Sequence, residues 1–133
     1  MFRSIPLLVL ALIAYNVIAF GNAAEADIWQ REILAVPMLS GVTWRMLLGD
    51  AMILFGLALL FIEIVKSTGA GSAAILDHAL STFVFIAFLV EFLLVPTAAH
   101  TVFFTLTLIS LIDVIAGFAV SIKGATRDVS FGR

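Results

Sequence analysis

Four apolar runs, each close to the roughly 20 residues a helix needs to cross a bilayer, take up most of this 133-residue chain. No water-soluble fold of that size has an interior large enough to hide them. The chain is 63% apolar and 12% charged, with a mean hydropathy of +1.22, whereas soluble domains carry about 25% charged residues. The expected fold class is therefore all-α: a single integral membrane domain, 1–133, built as a bundle of four antiparallel transmembrane helices. The runs place these helices at residues 5–22, 44–65, 74–95 and 101–122. Little is left outside the membrane except short connections and a tail, so no separate catalytic or binding domain is expected.

The first run follows Arg3 and precedes Ala24-Glu25-Ala26, a pattern shared by secretory signal peptides and retained anchors. Its apolar character continues to residue 24 and the rest of the chain is membrane-embedded, which favours an anchor over a cleaved signal. Between the first two runs, Glu25, Asp27, Arg31 and Glu32 alternate with Ile28, Trp29, Ile33, Leu34 and Val36. This composition predicts an outer interfacial helix over residues 27–36, with Trp29 at the headgroup boundary and Pro37 ending it. An ordinary apolar loop packed over the bundle is the alternative. Ser40-Gly41 then supplies a turn, and Trp44 opens the second span.

Residues 67–72 read as a flexible turn. Pro96 stops the third span, and the next segment is so brief that spans three and four must be antiparallel neighbours. From Lys123 onward a polar tail of low structural content is expected. Lys and Arg resist export, and placing both termini inside puts Arg3, Lys66, Lys123, Arg127 and Arg133 in the cytoplasm against Arg31 and Arg45 outside. That predicts a multi-pass protein of the inner (plasma) membrane with both termini cytoplasmic.

Acids within the spans carry whatever chemistry the chain has. Asp113 lies about 18 Å into the fourth span at 1.5 Å per residue, near the midplane. An acid there costs about 2.5–3.5 kcal/mol on insertion scales, so it must face protein, where a partner or a proton offsets the penalty. At about 100° per residue, Thr107, Ser110, Asp113, Gly117 and Ser121 form one stripe, fit for close helix contact. Gly49, Gly56 and Glu63 form a similar face on the second helix, with Lys66 placed to pair with Glu63 at i+3. Asp77, Ser81 and Glu91 share a sector of the third helix, with His78 beside Asp77. Depth counting predicts an outer polar layer of Asn16, Asp50, Glu91 and Thr107 capped by Arg45, and an inner layer of Glu63, Lys66, Asp77 and His78, with Asp113 between them. Arg45 pairing with Asp50 or Glu91 would neutralise the outer layer, and two acids sharing a proton is the alternative. The whole series suits a proton or cation path, and equally a satisfied polar core.

Several function classes are excluded or disfavoured. A net charge of −2 with dispersed cations offers no surface for nucleic acid. The absence of cysteine rules out disulfides, thiolate metal sites and cysteine nucleophiles. His78 and His100 lie about 33 Å apart along a helix axis, too far to share a haem; His78 with Asp77 or Glu63 is a conceivable metal site, but adjacent Asp77 and His78 point about 100° apart and lack ligand spacing. No nucleophile elbow, P-loop or dinucleotide fingerprint is present. No catalytic residue, metal or cofactor is assigned.

Gly49-Asp50, the run Glu63-Ile64-Val65-Lys66-Ser67-Thr68, then Ile75-Leu76-Asp77-His78-Ala79-Leu80-Ser81 and Val90-Glu91-Phe92-Leu93 resemble small uncharacterised inner-membrane proteins of Gram-negative bacteria. The resemblance covers the second and third spans and implies the same four-helix topology, with no activity, cofactor or site residue attached. Together these features predict a non-enzymatic accessory or interaction protein, with the lipid bilayer and a membrane-protein partner or a second copy as its contacts. The competing expectation is a small proton- or cation-handling transporter or channel component using Asp113, Glu91 and Asp50. A membrane enzyme subunit acting on lipid or quinone is a third, suggested only by aromatic content.

Overall fold

The computed structural model of the protein describes residues 5–67 and 72–131, with backbone alone at 72–74 and 120–131. Arg3, Arg133 and most of the turn expected at 67–72 lie outside the described residues, as do the side chains of Ser121, Lys123 and Arg127. In chain order come helix α1 (Leu8–Gly21), a 3-10 turn (Ile28–Gln30), strands β1 (Glu32–Pro37) and β2 (Thr43–Leu47), α2 (Leu48–Ser67), α3 (Ser72–Leu94), a second 3-10 turn (Pro96–Ala98) and α4 (Thr101–Phe131).

Three of these helices are long and apolar enough to cross a membrane, over Leu48–Ser67, Ile75–Leu94 and Thr101–Ala119. Within the spans, 50% of the α4 segment is buried against 33% for α2 and 22% for α3, so α4 is the central element. Leu106 and Phe103 on α4 are fully buried, next to Phe88 of α3 and Tyr15 of α1. Apolar side chains on the outer faces, such as Phe83 and Leu93 on α3, are two-thirds exposed. A helix that is apolar on all sides is stable only where lipid or protein covers it. Gly56 lets α2 approach α4 closely, since a Cβ there would stand 2.7 Å from Leu106 Cδ2. Without a hydrophobic drive inside lipid, such close van der Waals contact holds helices together.

The first helix is shorter than the run that encodes it. Its 14 residues extend about 21 Å at 1.5 Å each, against about 30 Å of hydrocarbon, so length alone does not qualify it as a span.

The connection between α1 and α2 departs most from expectation. Only Ile28–Gln30 forms a helical turn, and the segment expected as an interfacial helix becomes the first strand of an antiparallel hairpin, with Pro37 opposite Thr43, Val36 opposite Trp44 and Leu34 opposite Met46. The pairing shifts between Glu32 and Leu34, a bulge that bends the strand near its base. Gly41 turns the chain at φ +93°, while Met38 and Val42 close the loop through a 2.8 Å backbone hydrogen bond. The physical reason lies in composition: Ile33, Val36, Val42, Thr43 and Trp44 favour extended backbone, and Pro37 cannot sit inside a helix. Because β2 uses residues up to Leu47, α2 starts at Leu48 and not at Trp44. Trp29 is not a headgroup anchor either. It is 3% exposed and stacks on Tyr15 at 4.6 Å.

The end of the chain also differs. Backbone helix continues through Phe131, where a tail of low structural content was expected from Lys123. Extending an existing helix costs far less than nucleating one, so the span carries helicity past its apolar limit.

Candidate functional site

The buried acids gather mainly at the end of the bundle where α2 finishes and α3 begins. Lys66, in the last turn of α2, is the hub. Its Nζ donates to the Ile5 carbonyl at 2.9 Å and to Glu63 Oε1 at 3.3 Å, and stands 3.5 Å from Asp77 Oδ1. Glu63 Oε1 also accepts the backbone N–H of Leu7, one of the donors that the start of a helix leaves unpaired. Three elements are thus tied through one ammonium and one carboxylate. The Glu63 side chain is 1% exposed and that of Asp77 9%, so these charges sit where water screens them little.

One turn deeper, the Ser81 hydroxyl bonds the carboxylate of Asp113, and both residues are buried. Glu63, Asp77, His78, Ser81, Asp113 and Gly117 surround a cavity of about 10 Å³, near the smallest volume that admits one water. Asp77 Oδ1 and His78 Nε2 are buried there without a hydrogen-bond partner. The His78 ring stands edge-on to Phe118 at 4.2 Å and lies directly over Gly117, where any Cβ would collide with Nδ1. Gly117 is therefore what admits the imidazole to the bundle. Thr107, Ser110 and Asp113 are also buried. The Thr107 hydroxyl donates back to the Phe103 carbonyl at 2.9 Å, while Ser110 Oγ has no partner.

The outer residues do not assemble as one layer. Asn16 bonds Glu91 Oε1 at 3.1 Å, leaving Glu91 Oε2 buried and unpartnered. Asp50 is exposed and accepts the Leu47 N–H at 3.0 Å in the first turn of α2, because that helix begins later than its apolar run. Arg45 pairs with Glu32 at 2.7 Å across the hairpin, with neither Asp50 nor Glu91. Ser81 and Glu91 are separated by about 15 Å of α3 at 1.5 Å per residue, and Phe88, Phe103, Leu106 and Ile109 fill the buried middle.

Beyond Glu91 lies a recess of about 350 Å³ lined by Asn22, Glu25, Asp27, Trp29, Thr97 and His100. Its residues were not singled out as a group in the sequence. His100 Nε2 stands 3.1 Å from both Asp27 oxygens, and His100 Nδ1 accepts the Val102 N–H at 3.0 Å. The second bond fixes the tautomer: Nε2 carries the hydrogen and donates a hydrogen bond to the Asp27 carboxylate. With both nitrogens engaged, this histidine has no lone pair left to act as a base or a ligand. Glu25 is held by Arg31. The Tyr15 hydroxyl donates to the Thr97 carbonyl at 2.8 Å, so the recess is walled by a latch that joins α1, the 3-10 turn and the α3–α4 connection. Among the described residues no group of three or more His, Asp or Glu is placed to hold a metal ion.

No known protein family, curated protein or solved structure matches this chain.

Proposed function

We propose that the protein is a non-enzymatic accessory or interaction protein of a bacterial inner membrane, with both termini cytoplasmic and four antiparallel segments crossing the bilayer. The contacts between elements support the antiparallel arrangement. Leu7 meets Glu63, Asn16 meets Glu91, Phe88 meets Phe103 and His78 meets Phe118, so α1 runs alongside the longer helices, starting level with the end of α2. A short apolar segment is accommodated by thinning of the bilayer or by flanking side chains reaching outward, at fractions of a kcal/mol per Å. The Lys and Arg distribution supports the orientation.

The observation that carries the accessory reading is the mainly apolar stretch between the inner cluster and Glu91, where Phe88, Phe103, Leu106 and Ile109 are buried. Among the described residues only the buried hydroxyls of Thr107, bonded back to its own helix, and Ser110 interrupt that stretch, and the one histidine in the outer recess has both nitrogens occupied. Extraction of tagged protein in mild detergent tests this. A stoichiometric membrane partner or a second copy is expected in the purified species, and a bare monomer with no co-purifying protein refutes the reading.

The inner cluster itself favours a second reading, a proton- or cation-handling component in which Asp113 takes part and an oligomer lines the path. In reconstituted vesicles this requires ion or proton flux that Asp113→Asn abolishes. Absence of flux, or flux equal in the variant, ends it.

A further inference from the structure

We propose that the cavity between Asp77, His78, Ser81 and Asp113 is a reversible proton-binding site, occupied by a single water that links Asp77 Oδ1 to His78 Nε2. The site rests on the second reading's placement of the acids, but it concerns binding and stands whether or not a proton crosses the membrane.

The first argument is charge. Glu63 and Asp77 converge on one ammonium, Lys66, Asp113 lines the same cavity as both acids, and among the described residues the segment leading into α1 adds the Leu7 N–H and the Ile5 carbonyl. Facing them are Ser67 from α2, His78 and Ser81 from α3, and Asp113 with Gly117 from α4. Among the described residues, three carboxylates and one ammonium in a low-dielectric interior leave a negative charge uncompensated, which a protein neutralises by taking up protons or a cation. The second argument is the pair of unsatisfied atoms. Asp77 is 6% exposed, and its Oδ1 has only the ammonium at 3.5 Å, while His78 Nε2 has no partner. Both residues line the cavity. Buried polar atoms of native proteins are rarely left so, and a water with two to four partners is the usual remedy.

Size and charge decide between proton and metal. A cavity of about 10 Å³ holds one water but no hydrated ion, and a bare cation would lie next to the Lys66 ammonium already bound to two of the acids. A proton needs no space and can be passed between a carboxyl, the water and an imidazole nitrogen. His78 is held for this role by Gly117 behind it and Phe118 at its edge.

Infrared difference spectroscopy of the full chain in lipid vesicles tests the proposal, because a protonated carboxyl has a C=O stretch distinct from carboxylate bands. The wild type should show such a band that is lost and regained as pH is cycled, and that sodium or potassium chloride at fixed pH leaves in place. Asp113→Asn or Asp77→Asn should remove or shift the band, while Asp50→Asn, outside the cavity, leaves it intact. Gly117→Ala should shift it by displacing the imidazole. If Asp113→Asn fails to fold, the wild-type titration still decides. A wild type without a pH-dependent carboxyl band while its helix content is native, a band displaced by sodium at constant pH, or a band identical in both cavity variants overturns the proposal. A band without any vesicle flux upholds the site and eliminates transport, and flux without the band does the reverse.

Discussion

Replacing Lys66 with methionine should be the most damaging single change at the charged positions described. The side chain is 21% exposed, and it bonds a carbonyl at 2.9 Å while standing 3.3 and 3.5 Å from two buried acids. Removing one partner of a buried pair costs about 3–5 kcal/mol, mostly because the remaining charge is stranded. Partial exposure of the ammonium and protonation of the abandoned acids reduce that figure, so we expect about 2–4 kcal/mol. The matched control is Arg45→Met. Arg45 forms a shorter contact, 2.7 Å to Glu32, but the two side chains are 63% and 39% exposed, and such surface pairs contribute about 0–1 kcal/mol. Reversible unfolding in mixed micelles with increasing sodium dodecyl sulfate, followed by helix circular dichroism, measures both. Adding Glu63→Gln completes a double-mutant cycle, with a coupling energy of about 1–3 kcal/mol expected between neighbours in one network. If Lys66→Met costs no more than Arg45→Met, or the coupling is zero, the ammonium is not what ties α1 to α2 and α3.

Gly56→Leu should destabilise by about 1–3 kcal/mol through overpacking against Leu106, read in the same assay, and a neutral result would mean that α2 and α4 are not in close contact. His100→Ala removes both the Asp27 contact and the cap on the Val102 N–H, so a loss of about 1–2 kcal/mol is expected. The fluorescence of Trp29 should redden with it as the recess loosens, whereas unchanged emission and stability would dissolve the latch. Leu39, fully exposed at the hairpin tip, should tolerate Leu39→Asp in detergent with a change within about 0.5 kcal/mol. A large loss there would place the tip inside protein.

How far the sequence alone reached follows from which forces act locally. Spans two to four were legible because about 20 contiguous apolar residues have few alternatives to a membrane helix. The stripe from Thr107 to Gly117 was legible because helical periodicity assigns its face without reference to a neighbour. The hairpin was missed because a short apolar run has no decisive period, and Trp29, which reads as a headgroup anchor, belongs to the core. Its signals were nonetheless present, in β-branched residues flanking Ser40-Gly41. The late start of α2 followed from that error and moved Asp50 out of the expected layer. Pairings between distant positions were the least accessible. Asn16 with Glu91 and Asp27 with His100 are separated by 75 and 73 residues, and nothing local links them. Lys66 with Glu63 was visible because the pair spans a single turn.

Single-cysteine accessibility tests the central claim, helices solvated by lipid around buried acids, most directly, and the chain has no cysteine of its own to interfere. Ile112, in the middle of α4, is 49% exposed, and Ser40 lies in the exposed hairpin loop. In intact vesicles a membrane-impermeant maleimide should label Ser40→Cys from one side only and leave Ile112→Cys unlabelled from both, until the protein is denatured. Rapid labelling of Ile112→Cys in the folded protein would mean that water, and not hydrocarbon, surrounds α4, and the membrane account would fail.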